Sequence, residues 1–164
     1  MIKKIISYLV VLLVLLEYTS ATASAFYKSN KVEPPRILSK YEKRRSAIFA
    51  VCKDEYITDV IANSKYPYTL TAIAKVESDF RPNIRGDHGK SYGLYQIQER
   101  HWGYVPRTIE GQTRVAERIV GSLVDEHGYS RAIERYNGSG KDAKRYRHKV
   151  LLVINQLEKI ERSI

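Results

Sequence analysis

Glu77 is the side chain whose setting most invites chemistry. It closes an apolar run in which Leu70, Ile73, Ala74 and Glu77 recur at three- and four-residue steps, and it stands directly before Ser78-Asp79-Phe80. A carboxylate at a helix C-terminus meets the negative end of the helix dipole, which disfavours its charged form. Apolar neighbours such as Ile73, Ala74 and Phe80 would desolvate it and raise its pKa further. A carboxylic acid that stays protonated near neutral pH can hand a proton to a leaving oxygen. Taken alone, however, a Glu near a helix end is more often an ordinary solvated residue.

Two later stretches give Glu77 company. Gly86-Asp87-His88-Gly89 and Ser91-Tyr92-Gly93-Leu94-Tyr95-Gln96-Ile97 form a loop in which glycines let backbone approach a ligand, and Gln96 can hydrogen-bond an amide or hydroxyl. Arg135-Tyr136-Asn137-Gly138-Ser139-Gly140 then sets an aromatic and an amide at a helix end, a pattern that also reads as a plain Asn-Gly turn. Other chemistries find little support. Cys52 is the sole cysteine and sits among Ile48, Phe49, Val51 and Tyr56, the setting of a buried structural thiol. His88, His101, His127 and His148 show no metal-ligand spacing, so neither metal nor cofactor is expected.

In order and spacing these residues resemble the soluble lytic transglycosylase and goose-type lysozyme group. Glu77-Ser78 matches the family's Glu-Ser pair, and Gly93-Leu94-Tyr95-Gln96-Ile97 its Gly-Leu-x-Gln-hydrophobic motif, with Tyr95 where Met is usual. Tyr136-Asn137-Gly138 matches its Tyr-Asn motif, and Tyr146 is similar to its late tyrosine, so the resemblance runs from about Tyr66 to Leu152. It implies a mainly α, lysozyme-like α+β domain, mostly helices with a short irregular or β segment beside a cleft for several sugars. It implies that Glu77 is the general acid/base that cleaves the β-1,4 bond between N-acetylmuramic acid and N-acetylglucosamine in peptidoglycan, with the muramic acid's own 6-hydroxyl closing a 1,6-anhydro ring. Ser78 and Asn137 would hold the reacting sugar, and Tyr146 would hydrogen-bond near Glu77. Gly93, Leu94, Tyr95, Gln96 and Tyr136 would complete the substrate-binding set.

One feature departs from the transglycosylase pattern. Gly86-Asp87-His88-Gly89 looks more like the goose-type hydrolases, in which an Asp at this place helps position a water, while Gln98 stands where a second such Asp is common. A transglycosylase is therefore favoured, with a muramidase using Glu77 and Asp87 as the alternative. His101 and Trp102 are placed to stack on a sugar, with a Trp packed into the core an expectation of at least equal weight.

The elements that must position these groups follow from periodicity. Ile48, Val51, Cys52, Val60 and Ile61 recur at helical spacing between Lys40 and about Asn63. Pro67 starts the next helix, which must end near Ser78 to Phe80 because Pro82 cannot continue it. Residues 83–103 read as irregular, with short strands or turns. Ile109 to Glu126 carries Val115, Ile119 and Leu123 on one face before Gly128, and Ser130 is placed to cap a short helix running to about Tyr136. Asp142 to Arg162 is a last helix with Val150, Leu151, Ile154, Leu157 and Ile160 facing inward.

The ends and the charge bound the setting. Lys3 and Lys4, the apolar run Ile5 to Leu16, and Ala23-Ser24-Ala25 make residues 1–25 a secretory signal peptide, too short for a comfortable membrane span, though retention as an N-terminal anchor stays open. Residues 26–39, with Pro34-Pro35, read as a linker or extended arm, leaving 40–164 as the catalytic domain. A net charge of +10 expects an anionic partner, and the scattered basic groups lack any recognition-helix or zinc-finger spacing, so a polyanionic wall is expected rather than nucleic acid. The site of action is then the periplasm, the wall or the extracellular space, where a lone catalytic domain suits a secretion, conjugation or phage machine. Two readings from other classes stand beside the enzyme: a non-catalytic wall-binding module, and a cationic protein acting on membranes.

Overall fold

In the computed structural model, which describes residues 37–164, the helix carrying Glu77 is the centre of the architecture. The expected signal segment 1–25 and most of the 26–39 arm lie outside the described residues. The chain forms α1 (Lys40–Cys52), α2 (Glu55–Ala62), α3 (Pro67–Ser78), β1 (Arg85–Gly86), a 3-10 turn (Asp87–Gly89), β2 (Ser91–Tyr92), β3 (Ile97–Gln98), α4 (Glu99–Trp102), α5 (Ile109–His127), α6 (Tyr129–Tyr136) and α7 (Lys141–Ser163). It is mainly helical, with one small antiparallel sheet in the order β1-β2-β3. Tyr92 pairs with Arg85 and with Ile97, and Ser91 with Gly86 and with Gln98. Among the described residues no helix is long and apolar enough to cross a membrane.

The helix starts are chemically explicit, and two differ from expectation. Ser39 and Glu42 form a reciprocal capping box, the Ser39 amide donating to Glu42 Oε2 at 2.8 Å and the Glu42 amide to Ser39 Oγ at 3.2 Å. The helical periodicity between Lys40 and Asn63 is broken into two helices. Lys53 adopts a left-handed conformation (φ 63°), and Asp54 restarts the chain by accepting the Ile57 amide at 2.8 Å. Arg45 spans the break by pairing with both Glu55 and Asp59. Cys52 is buried, as expected, and burial raises its thiol pKa. The second difference is at Ser130, which lies inside the first turn of α6 and does not cap it; the cap position is Gly128.

Helix α3 has almost no solvent side. Thr69, Leu70, Thr71, Ala72, Ile73 and Ala74 are all buried, and the helix packs against α1, α2, α5 and α7. Apolar residues and small ones fill a helix that is enclosed all round, and the buried Thr71 hydroxyl is satisfied by donating to Pro67 O at 2.7 Å. The helix ends where expected: Asp79 (φ 52°) and Phe80 (φ 59°) are both left-handed, turning the chain away from Pro82. Val150, Ile154 and Leu157 of α7 join the same core, with Leu151 and Ile160 half-buried at its margin.

The sheet region is too small to carry its own core and is pinned by one side chain of α5. Gln112 is 0% exposed. Its Oε1 accepts the Leu94 amide at 2.8 Å, and its Nε2 donates to Pro82 O at 3.1 Å and Arg107 O at 3.3 Å. Gly93 turns directly over it at φ 82°, where a Cβ would stand 2.2 Å from Gln112 Oε1. Replacing Gln112 with Leu strands three backbone groups in the interior, so Gln112→Leu is expected to cost on the order of 3 kcal/mol in urea unfolding. A loss below about 1 kcal/mol would show that the loop does not depend on this brace.

Candidate active site

Glu77 sits in the last turn of α3, at the divide between two adjoining hollows. The larger is a cleft of about 670 Å3 lined by Glu77, Asp87, Gln96, Trp102, Tyr136 and Asn137 among others. The smaller, of about 440 Å3, shares Glu77 and Asn137 and is walled by the start of α7. Burial raises the Glu77 pKa from 4.5 to about 7; the Tyr146 hydroxyl lowers it in part, and the Asp87 charge raises it. The carboxyl therefore holds a proton into the neutral range, the direction its apolar neighbours suggested, whereas its position alone favoured an ordinary solvated Glu.

Tyr146 and Tyr136 form the floor beside it. Their rings stack with centroids 6.4 Å apart and planes 6° from parallel, tying α6 to α7. The Tyr136 hydroxyl donates to Tyr95 O at 2.9 Å. The Tyr146 hydroxyl is buried and has no hydrogen-bond partner of regular geometry among the described residues. The Glu77 carboxyl is the group it acts on, holding that pKa below what burial alone would give. Burial pushes both phenol pKa values well above their ordinary range, so these hydroxyls remain donors.

The opposite wall is the strained loop. Asp87 (φ 50°), His88 (φ 55°) and Gln96 (φ 46°) are all left-handed, and with Asp79 and Phe80 they place between 79 and 96 five of the six positive-φ non-glycine residues found among the described residues. Gln96 spans the turn, its Nε2 donating to Gly93 O at 2.9 Å and its Oε1 accepting from Ser91 Oγ at 3.0 Å. It lies against Gly86 so closely that a Cβ there would meet Gln96 Oε1 at 2.1 Å. Asp87 Oδ2 accepts from Gln98 Nε2 at 2.9 Å and is the alternative acceptor, at 3.3 Å, for the Ser91 hydroxyl that donates to Gln96 Oε1. Gln98 thus holds Asp87 instead of adding a second carboxylate.

Four residues expected to touch substrate do not line the cleft. Ser78 is 1% exposed, and its hydroxyl donates to Leu94 O at 2.8 Å, with Ala74 O the alternative acceptor at 3.1 Å. Leu94 and Tyr95 are both 0% exposed; Leu94 packs in the core, and the Tyr95 hydroxyl bonds Thr113 Oγ1 at 3.0 Å. Gly93 is buried over Gln112. These residues form the backing that fixes the cleft wall, because a left-handed turn at Gln96 sends neighbouring side chains into the interior. The Trp102 side chain lines the cleft and is 37% exposed, so it is not a core residue. Sequence reasoning missed Gln112 and the flanking cations Arg100, Arg135, Arg145 and Lys149. The one signal for Gln112 was a polar residue at helical spacing from Val115 and Ile119. Among the described residues no group of three or more His, Cys, Asp and Glu is disposed to hold a metal ion.

With this geometry in hand, comparison with known proteins adds no relative: no family model, curated protein or solved structure matches the chain.

The Glu77 pKa has a consequence for stability. Its folded value of about 7 lies above the unfolded value of 4.5, so the folded state binds this proton more tightly. That contribution is complete below pH 4.5 and is lost as pH rises through about 7. The unfolding free energy of the wild type relative to Glu77→Gln should therefore fall by on the order of 3 kcal/mol across that window. A difference that stays flat with pH would mean the carboxyl is not buried as described. Tyr146→Phe should move the loss to higher pH, because it removes the group that lowers the Glu77 pKa.

Proposed function

We propose that this chain is an exported peptidoglycan-cleaving enzyme of lysozyme-like fold, a lytic transglycosylase with Glu77 as general acid/base. The observation that carries the proposal is a single half-buried carboxyl, its pKa raised to about 7, shared by two adjoining hollows. A groove of this size suits a run of sugars, and Trp102 and Tyr136 offer aromatic surface to their apolar faces. The ordered resemblance of Glu77-Ser78, Gly93 to Ile97, Tyr136-Asn137 and Tyr146 supports the same reading.

The chemistry needs one carboxyl doing two jobs. Glu77 donates its proton to the glycosidic oxygen as the bond to the anomeric carbon breaks, freeing the N-acetylglucosamine 4-hydroxyl. The resulting carboxylate then takes the proton of the muramic acid 6-hydroxyl while that oxygen bonds the anomeric carbon. The product is the 1,6-anhydro sugar, no water is consumed, and the acid is regenerated. A pKa near neutrality suits both halves, since donor and acceptor forms are then close in energy. Because the nucleophile belongs to the substrate, a flanking carboxylate pair is unnecessary.

Asp87 favours the second reading, a muramidase. It lines the same cleft and its charge reaches Glu77, so it is placed to act on a water. Against this, one Asp87 oxygen already accepts from Gln98 Nε2. Mass spectrometry of purified peptidoglycan digested by the protein and by Glu77→Gln separates the outcomes. The expected result is fragments ending in 1,6-anhydromuramic acid, reduced by at least about a hundredfold in the variant. Ordinary reducing ends would make the protein a hydrolase and bring Asp87 into the mechanism. Binding to the wall without soluble fragments would leave a non-catalytic module.

A further inference from the structure

The smaller hollow is more than an extension of the cleft. Its wall is one face of α7, where Asp142, Arg145, Tyr146 and Lys149 surround the space next to Glu77 and Asn137. Arg145 pairs with Asp142 through Nη2, yet its side chain is 75% exposed, so other guanidinium N–H groups remain available. Lys149 lies one turn further along the same helix, is exposed, and has no ion-pair partner among the described residues. Tyr146, with 7% residual exposure, lines the same space, its hydroxyl directed at the Glu77 carboxyl without a hydrogen bond of regular geometry. Lys141, Lys144 and His148 continue the exposed basic surface along this half of α7.

This set is poorly matched to a neutral sugar. Two cations face two acids, Asp142 and Glu77, and while Glu77 holds its proton the balance is positive; a guanidinium beside an ammonium is a donor arrangement for an oxyanion. Neither cation is among the groups that shift the Glu77 proton, so their presence is not accounted for by tuning the acid. Because the hollow shares Glu77 and Asn137 with the cleft, its occupant must hang from a sugar next to the bond being cut.

We infer that the Arg145–Lys149 pocket is a specificity site for an oxyanion carried by the glycan strand beside the scissile bond, best met by a carboxylate of a peptide substituent. This rests on the glycan-cleaving reading above and adds to it a preference for strands that still bear charged substituents. A wall phosphodiester would supply the same oxyanion chemistry, and the two sources are separable.

The test is steady-state cleavage of three glycan preparations: untreated strands, strands with their carboxylates amidated, and strands stripped of phosphodiesters. Amidation should raise KM by about three- to tenfold while stripping leaves it unchanged. Lys149→Gln should raise KM on untreated strands by the same factor and show no further response to amidation, and Lys149→Arg should restore the preference. Lys149 is exposed, so these variants should fold. A KM raised by stripping instead of amidation, with the same Lys149 dependence, would keep the oxyanion site and name phosphate as its ligand. A Lys149→Gln variant that retains the full preference for charged strands would overturn the inference. Failure of the wild type to release product from any preparation would instead overturn the cleavage reading on which it rests.

Discussion

Helix α3 has no solvent face along Thr69 to Ala74, so its last turn carries Glu77 up from the core and not down from the surface. That one constraint decides the chemistry. An ionised carboxylate emerging from an apolar interior would lose most of its hydration, and retaining a proton costs far less than burying the charge. The helix dipole acts in the same direction, because its negative end faces the carboxyl. Enclosure by α1, α2, α5 and α7 therefore does two things at once: it supplies much of the core, and it sets an acid that stays protonated to about pH 7. A shallower helix with one wet face would have produced an ordinary glutamate.

Just beyond this acid, and in the loop that follows, the backbone is bent into conformations that side-chain-bearing residues avoid. Asp79, Phe80, Asp87, His88 and Gln96 all have positive φ, each at a cost of about 1–2 kcal/mol. Such a run persists only where surrounding contacts over-determine it. Gln112 provides the strongest of these contacts, holding three backbone groups from beneath, while Ser78 ties the end of α3 to Leu94 O and Gln96 laces Gly93 to Ser91. The loop that faces Glu77 is thus fastened to the same helix end that presents Glu77. Acid and opposite wall are held as one unit, which is what a reaction sensitive to small displacements requires.

Much of this was readable along the chain, and the parts that were not share a cause. Helix α3 and its end follow from Pro67, Pro82 and a 3.6-residue apolar period, and the pKa direction of Glu77 follows from its place at the end of that run. The stop at Gly128 and the last helix were equally plain. Periodicity does not reveal a break that keeps the apolar phase, so the left-handed Lys53 and the Asp54 cap between α1 and α2 were visible only as an Asp with no assigned role. Nor does a one-dimensional motif say which way a side chain leaves a strained turn. Ser78, Leu94 and Tyr95 lie within motif segments next to cleft residues, yet they point into the interior and brace the wall. Gln112 looked like a polar interruption on an apolar face, and its role appears only when the loop it binds is folded over it.

The choice of nucleophile turns on how freely Asp87 can act. A carboxylate that activates water needs an oxygen directed at that water, with its remaining bonds arranged to keep it there. Here Asp87 sits on a solvent-exposed turn, and its Oδ2 receives the Gln98 donor. Gln98 is engaged in turn, accepting from Arg100 Nε at 3.2 Å, so the Asp87 side chain is one end of a surface chain of polar groups. Such a chain orients the loop but leaves the charge well hydrated, where its pull on a water is weak. Glu77 is the reverse case, desolvated and backed by the stacked pair Tyr136 and Tyr146. With one protonated carboxyl and one hydrated carboxylate, the pair is consistent with the proposed reaction, whose nucleophile would arrive on the substrate. The two hollows adjoin at Glu77 and Asn137, and under the proposed function a glycan strand would lie across the acid there and present the reacting sugar's own hydroxyl.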